Sequence, residues 1–184
     1  NLKEIHEREI EDAMVKVTMG PEKKSRVRSE KENKLVAFHE AGHAVVSKFL
    51  PTQDTVHQIS IVPRGMAGGY TMYKPDEDKN FMSKTEMEET IISLLGGRVA
   101  EQLVLNDIST GASNDLEVAT DIAKNMVTIY GMSDNIGPLS INLEKDPYQM
   151  QLFGESMENA IGKEVKTLID DAYSKAQSIL VKHI

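Results

Sequence analysis

The chain has 184 residues, enough for one domain with a real core plus an added arm. A net charge of −8 argues against a nucleic-acid surface, and the absence of cysteine excludes disulfides and thiolate metal ligands. No apolar run reaches the twenty or so residues of a membrane span, and no signal peptide opens the chain. It begins at Asn1 and stops inside a helical pattern, so it reads as a piece of something longer.

Residues 2 to 18 place Leu2, Ile5, Ile10, Ala13, Met14 and Val17 at helical spacing, which predicts an amphipathic helix ended by Gly20-Pro21. Lys23, Lys24, Arg26 and Arg28 then read as a solvated basic linker. The spacing of Ser29 and Glu32 predicts a capping box opening the next helix, which Pro51 closes. Two β-branched or aromatic runs, Val56–Val62 and Gly69–Tyr73, predict short strands separated by the turn signal Pro63-Arg64-Gly65. His57, in the first strand, reads as a histidine at a core edge, with an accessory ligand or substrate contact as the alternative.

Ser83 and Glu86 predict a second capping box, opening a helix with Met87, Ile91, Leu94, Leu95, Val99 and Leu103 on one face. Gly96-Gly97 inside it disfavour the helix and mark the close approach of another backbone. Ser113 or Asn114 is the expected cap of the following helix, and Gly131 its end. Residues 134 to 154 read as irregular, before a long amphipathic helix through Ile161, Val165, Leu168, Ala172, Ala176 and Ile179. The expected fold is mainly α, with a small β-sheet beside the helix that opens at Ser29.

That helix carries Phe38-His-Glu-Ala-Gly-His43, an HExxH pattern that makes it a helix of zincin type. Histidines four apart share a helix face and can grip one ion, and Glu40 is placed to act on a water beside it. Apolar neighbours such as Leu35, Val36, Val45 and Val46 put the motif in a core rather than on a solvated surface. A catalytic zinc takes three protein ligands and leaves one position open. His6 and His183 lie in terminal segments, which leaves two carboxylates as third-ligand candidates. Glu101 lies on the helix after the strands, and Asp115 follows the small residues Ser109-Thr-Gly-Ala-Ser-Asn. Position alone leaves the two near even, since Asp115 is equally well placed to favour the positive end of a helix.

FHEAGHAVV, VPRG followed by GGYT, LLGGRVAEQ, STGASNDLEVAT and NMVTIYGMSDNIGPL occur in that order. Together they resemble the peptidase domain of the FtsH family, membrane-anchored ATP-dependent metalloproteases, from about Gly20 to Ala176. The resemblance implies His39, His43 and Asp115 as ligands of one Zn²⁺, Glu40 as the catalytic base, and Glu101 as a residue that supports the ligands from behind or serves the fold. It also implies a homo-hexameric ring fed with unfolded polypeptide by an AAA+ ATPase, and a full-length protein with transmembrane segments at the cytoplasmic face of the bacterial plasma membrane. Residues 1–28 would then be the junction to that ATPase module and 29–184 the zinc metallopeptidase domain. An extended substrate would add a strand along Gly69, Tyr70, Thr71 and Met72.

The chain departs from the family pattern in places. No GxxxxGK[ST] loop is present, so ATP would act only through a module outside this chain. The segment after Gly154 is shorter than is common, and Gly68 precedes Gly69 where a larger apolar residue is usual. A scaffold with an inactive metal site and a zincin for small peptides are the competing classes. The intact Glu40 argues against the first, and no dedicated pocket supports the second.

Overall fold

The two helices that carry the histidines and the glycine pair each begin with a serine side chain satisfying an amide group that a helix start leaves unpaired. In the computed structural model, which describes residues 4–23, 28–65, 67–75, 79–142 and 148–183, Ser29 Oγ accepts the N–H of Glu32 at 3.1 Å. That bond opens α2 (Glu30–Lys48), the second of five helices among the described residues. The first, α1 (Glu7–Met19), is opened by a box between His6 and Glu9. It starts later than the apolar pattern predicts, and residues 1–3 lie outside the described residues. Of its apolar positions only Val15 is buried, while Ile10, Met14 and Val17 face outward, so α1 packs far less of its stripe than the periodicity predicts.

After α2 come β1 (Thr55–Ser60) and β2 (Tyr70–Lys74), an antiparallel pair that sets Ile59 opposite Thr71. The register shifts between Val56 and Gln58, so a bulge falls at His57. Strand β1 ends two residues before the predicted Val62. The Ser83–Glu86 capping box opens α3 (Lys84–Ala100) as expected. The helix then widens into a π-helical turn, Glu101–Leu105, that closes on Asn106 in the left-handed region.

A short 3₁₀ turn, Thr110–Ala112, runs directly into α4 (Ser113–Thr128). Neither Ser113 nor Asn114 is the cap. Both lie inside α4, because the 3₁₀ turn has already started the winding and Ser109 Oγ caps it by accepting the Gly111 N–H at 3.0 Å. Gly131, at φ +60°, turns the chain away after α4. Residues 134–142 are irregular, as predicted, and 143–147 lie outside the described residues. The last helix, α5 (Gln149–His183), starts earlier than predicted, because the chain is helical on both sides of a break at Gly154 (φ +75°).

Helices α2 to α5 share one core of Val46, Ile91, Leu95, Val99, Met126 and Leu180. Within it α2 and α3 meet backbone to backbone. A Cβ on Gly42 would lie 2.4 Å from the Gly96 carbonyl oxygen, and one on Gly96 would lie 2.8 Å from the oxygen of Gly42. The helix with the histidines therefore rests on the helix with the paired glycines, and the two-stranded sheet packs against α2. The architecture is mainly α with a small sheet, as the sequence predicts.

Candidate metal centre

Four-residue spacing on α2 brings His39 Nε2 and His43 Nε2 to 3.1 Å of each other. Asp115, in the first turn of α4, places Oδ2 at 3.2 Å from the first nitrogen and 3.4 Å from the second. Both imidazoles are buried. Each Nδ1 is fixed from behind. His43 Nδ1 lies 2.9 Å from the Ser93 carbonyl, which can only accept, so Nδ1 carries the hydrogen and a neutral ring turns its Nε2 lone pair forward. His39 Nδ1 donates in the same way to Glu101 Oε1 at 2.8 Å.

Two nitrogen lone pairs and a carboxylate oxygen thus converge on one point, an arrangement that repels itself unless a proton or a cation sits among them. For a tetrahedral ion with bonds of about 2.0–2.1 Å the ligand atoms stand about 3.3–3.4 Å apart. The observed spacings of 3.1, 3.2 and 3.4 Å lie close to that edge length, and a donor set of two borderline imidazole nitrogens and a hard carboxylate oxygen suits zinc.

The charges respond to this crowding. Burial would depress the pKa of His39, but the Asp115 and Glu101 carboxylates outweigh it and raise it above the ordinary 6.5. Burial works against ionisation of Asp115 too, yet hydrogen bonds from His39 and His43 hold its pKa at about 2. Burial pushes the Glu40 carboxyl above its ordinary value, with His43, His39 and Thr71 acting in the other direction. A base poised upward in this way holds a proton more readily once it has taken one.

Glu40 lies in a cavity of about 910 Å³ that His39, His43 and Asp115 also line. Thr71 on β2 places its Oγ1 at 3.0 Å from both the backbone oxygen and Oε2 of Glu40. Of the residues predicted to meet substrate, Gly69, Tyr70 and Thr71 line the cavity, and Tyr70 is itself buried. Met72, half-buried on β2, is absent from the cavity wall.

Glu101 is fully buried and stands behind His39 rather than beside Asp115 at the converging atoms. Its second oxygen accepts the Ser109 N–H at 2.7 Å, so one carboxylate joins His39 to the loop that leads to Asp115. The π turn at the end of α3 is what carries Glu101 at its first position.

His57 is not near this centre. It is exposed on β1, with Nε2 3.5 Å from Glu11 Oε1 of α1, so it is neither a ligand nor a core-edge residue. The register shift beside it accounts for the outward position. His183 stacks on Phe49 and His6 caps α1, away from the centre. Two contributors escape sequence reasoning. Ser93 acts through its carbonyl, which any residue would supply. Gly97 lies directly beneath the rings, where a Cβ would come within 2.5 Å of His43 Nε2 and 2.6 Å of His39 Cε1. The glycine pair signalled a close approach, but not that imidazoles were what approached.

Comparison with known proteins places this geometry. The family model described as Peptidase family M41 matches residues 26–184. The chain is 53% identical over 190 residues to ATP-dependent zinc metalloprotease FtsH 1 of Thermoanaerobacter sp. (strain X514), covering 100% of this chain and 31% of that protein. It is 49% identical over 189 residues to ATP-dependent zinc metalloprotease FtsH of Caldicellulosiruptor bescii, covering 99% of this chain and 31% of the relative. The FtsH of Halothermothrix orenii is 49% identical over 180 residues, with 94% of this chain and 29% of the relative covered. The chain thus spans about a third of the length of these relatives. With the match running from residue 26 to the last residue and the converging histidines and aspartate inside it, the chain belongs to peptidase family M41.

Proposed function

We propose that the chain is the proteolytic domain of an ATP-dependent zinc metalloprotease and cleaves unfolded polypeptides internally. The single observation that carries this reading is the convergence of His39 Nε2, His43 Nε2 and Asp115 Oδ2 in one cavity with Glu40. Those three residues would hold the ion. Zinc, when bound, supplies Lewis acidity that lowers the pKa of water and polarises a carbonyl.

The chain's own groups divide the remaining work. Glu40 accepts the proton of the attacking water on a carboxylate oxygen and delivers it to the amine nitrogen as the C–N bond breaks. Thr71 holds the Glu40 side chain in place for both transfers. Ser93 and Glu101 fix the imidazoles so that both Nε2 lone pairs face the point where an ion would be held. An extended substrate would lie against β2, using main-chain groups of Gly69, Tyr70, Thr71 and Met72 that tolerate many sequences.

At the level of the whole protein, the names of the relatives support ATP dependence, which this proposal assigns to an AAA+ module outside this chain. A homo-hexameric ring, membrane anchoring by transmembrane segments and a position at the cytoplasmic face of the plasma membrane belong to the same proposal. Residues 1–28 would serve as the junction to the ATPase module and 29–184 as the metallopeptidase domain. Among the described residues no helix is long and apolar enough to cross a membrane.

The test measures bound zinc and cleavage of unfolded casein on the same preparations. Glu40→Gln is expected to keep zinc and lose cleavage, while His43→Ala and Asp115→Ala lose both. Zinc retained by Asp115→Ala but lost by Glu101→Ala would overturn the ligand set.

A further inference from the structure

Arg28 does not behave as part of a solvated linker. Its side chain is only 3% exposed, and its guanidinium reaches across to the connection between β1 and β2. Nη1 donates to the Ile61 carbonyl at 2.8 Å, and Nη2 donates to the Gly68 carbonyl. Nε makes no hydrogen bond and lies 3.7 Å from Glu32 Oε1, which balances the charge. One planar fork therefore grips both ends of residues 61–69. A lysine, with a single nitrogen, could not span the two carbonyls in this way.

The connection needs such a grip. It is longer than the about two to five residues of a hairpin loop that fixes its own shape. Further along, the Lys23 N–H donates to the Pro63 oxygen at 2.9 Å and the Gly65 N–H donates to the Pro21 oxygen at 3.3 Å. Arg64 is held by Glu22 at 2.7 Å. Gly68 and Gly69 then form part of the cavity wall. Gly69 sits so close to the base that a Cβ there would lie 2.9 Å from Glu40 Oε1 and 2.7 Å from the Ser60 oxygen. Where this wall stands decides how much room a polypeptide has beside Glu40.

From this geometry we infer that Arg28 is a positioning residue for substrate: by clamping Ile61 and Gly68 it fixes the cleft wall on the β2 side of Glu40. The inference rests on the peptidase reading above. Arg28 touches neither the cavity nor the three converging atoms, so its effect falls on substrate grip and not on the metal.

The experiment compares Arg28→Met and Arg28→Lys with the unmodified zinc-loaded chain. It reads zinc content, melting temperature, casein cleavage, amide exchange over residues 61–69, and binding of labelled casein in a Glu40→Gln background. Arg28→Met is expected to raise KM by about tenfold, the scale of one lost hydrogen bond from a charged group. Its kcat should stay within about twofold, as for a group that acts on binding. Zinc content should be unchanged, exchange in 61–69 should rise, and Arg28→Lys should fall between. Unaltered KM and casein binding in Arg28→Met overturn the inference, as does a loss of zinc that parallels the loss of cleavage. If Arg28→Met does not fold, Arg28→Lys decides, and unchanged KM with unchanged exchange overturns it. If the unmodified chain neither binds nor cleaves casein, the peptidase reading fails and the inference falls with it. Casein binding that Arg28→Met leaves intact overturns the inference alone.

Discussion

Glu101 and His39 are 62 residues apart in the chain, yet a carboxylate oxygen of the first lies 2.8 Å from Nδ1 of the second. The bond fixes which nitrogen of His39 carries hydrogen and hence which one faces the centre. Because the other oxygen of Glu101 holds the Ser109 amide, the orientation of one ligand is tied to the loop that delivers another.

Replacing Glu101 with Gln keeps the volume but removes the charge that supports His39. Zinc affinity is expected to fall by about 10–100-fold, the usual effect of losing a partner behind a ligating histidine. Competition with a coloured chelator measures it. An affinity equal to that of the unmodified chain would remove Glu101 from the account of the centre.

Gly97→Ala tests the floor beneath the rings. Its Cβ would stand 2.5 Å from His43 Nε2, closer than packed atoms approach, so the imidazoles must move or the helices part. The expected result is loss of zinc with most of the helical circular dichroism retained. Normal zinc content in the variant would show that α3 can yield at this point.

Protons and a cation compete for the same three donors, which gives zinc binding a defined pH profile. Asp115, held at about 2, stays ionised throughout the neutral range and adds no slope there. His39 is raised above 6.5, so affinity should begin to weaken at a higher pH than for an unperturbed imidazole as the solution is acidified. A profile flat down to pH 6 would contradict this. For folding of the zinc-depleted chain the sign is opposite. The raised pKa contributes stability that is fully present below 6.5 and lost as pH rises through the higher folded value.

Glu86 offers a separate acid-stability test away from the centre. Lys79 first, and then the Ser83 amide and hydroxyl, lower its pKa from 4.5 to about 2. The contribution is present above 4.5 and disappears as pH falls through about 2. Thermal melts between pH 5 and 2 should therefore show a smaller decline for Glu86→Gln than for the unmodified chain. Equal declines would mean that the box at the start of α3 is not what acid removes.

The parts of this molecule that could be read in advance are those written in local spacing. His39 and His43 share a face because four residues make about one turn, and Ser83 with Glu86 forms its box over three. Asp115 and Glu101 could not be ranked by position, because which of them reaches the two Nε2 atoms depends on a π turn and a 3₁₀ turn that leave no periodic trace. Arg28 looked like one charge in a basic run. Its burial follows from carbonyls at 61 and 68, whose positions only the folded hairpin sets. The stripe on α1 shows the reverse error, since its period is right while the face it promised to bury stays mostly uncovered.

The contact of Gly42 with Gly96 has a bearing on how the chain tolerates change. Side chains between helices act as springs: trimming or enlarging one lets the helices shift by a fraction of an ångström. Where Gly42 meets Gly96 there is no spring, only main chain against main chain, next to the ligand His43. Substitutions deeper in the core, at Leu95 or Met126, can therefore weaken the fold without altering the spacing of the two imidazoles. At that point the tolerance of the centre is set by the covalent geometry of the main chain rather than by how well side chains fill a gap.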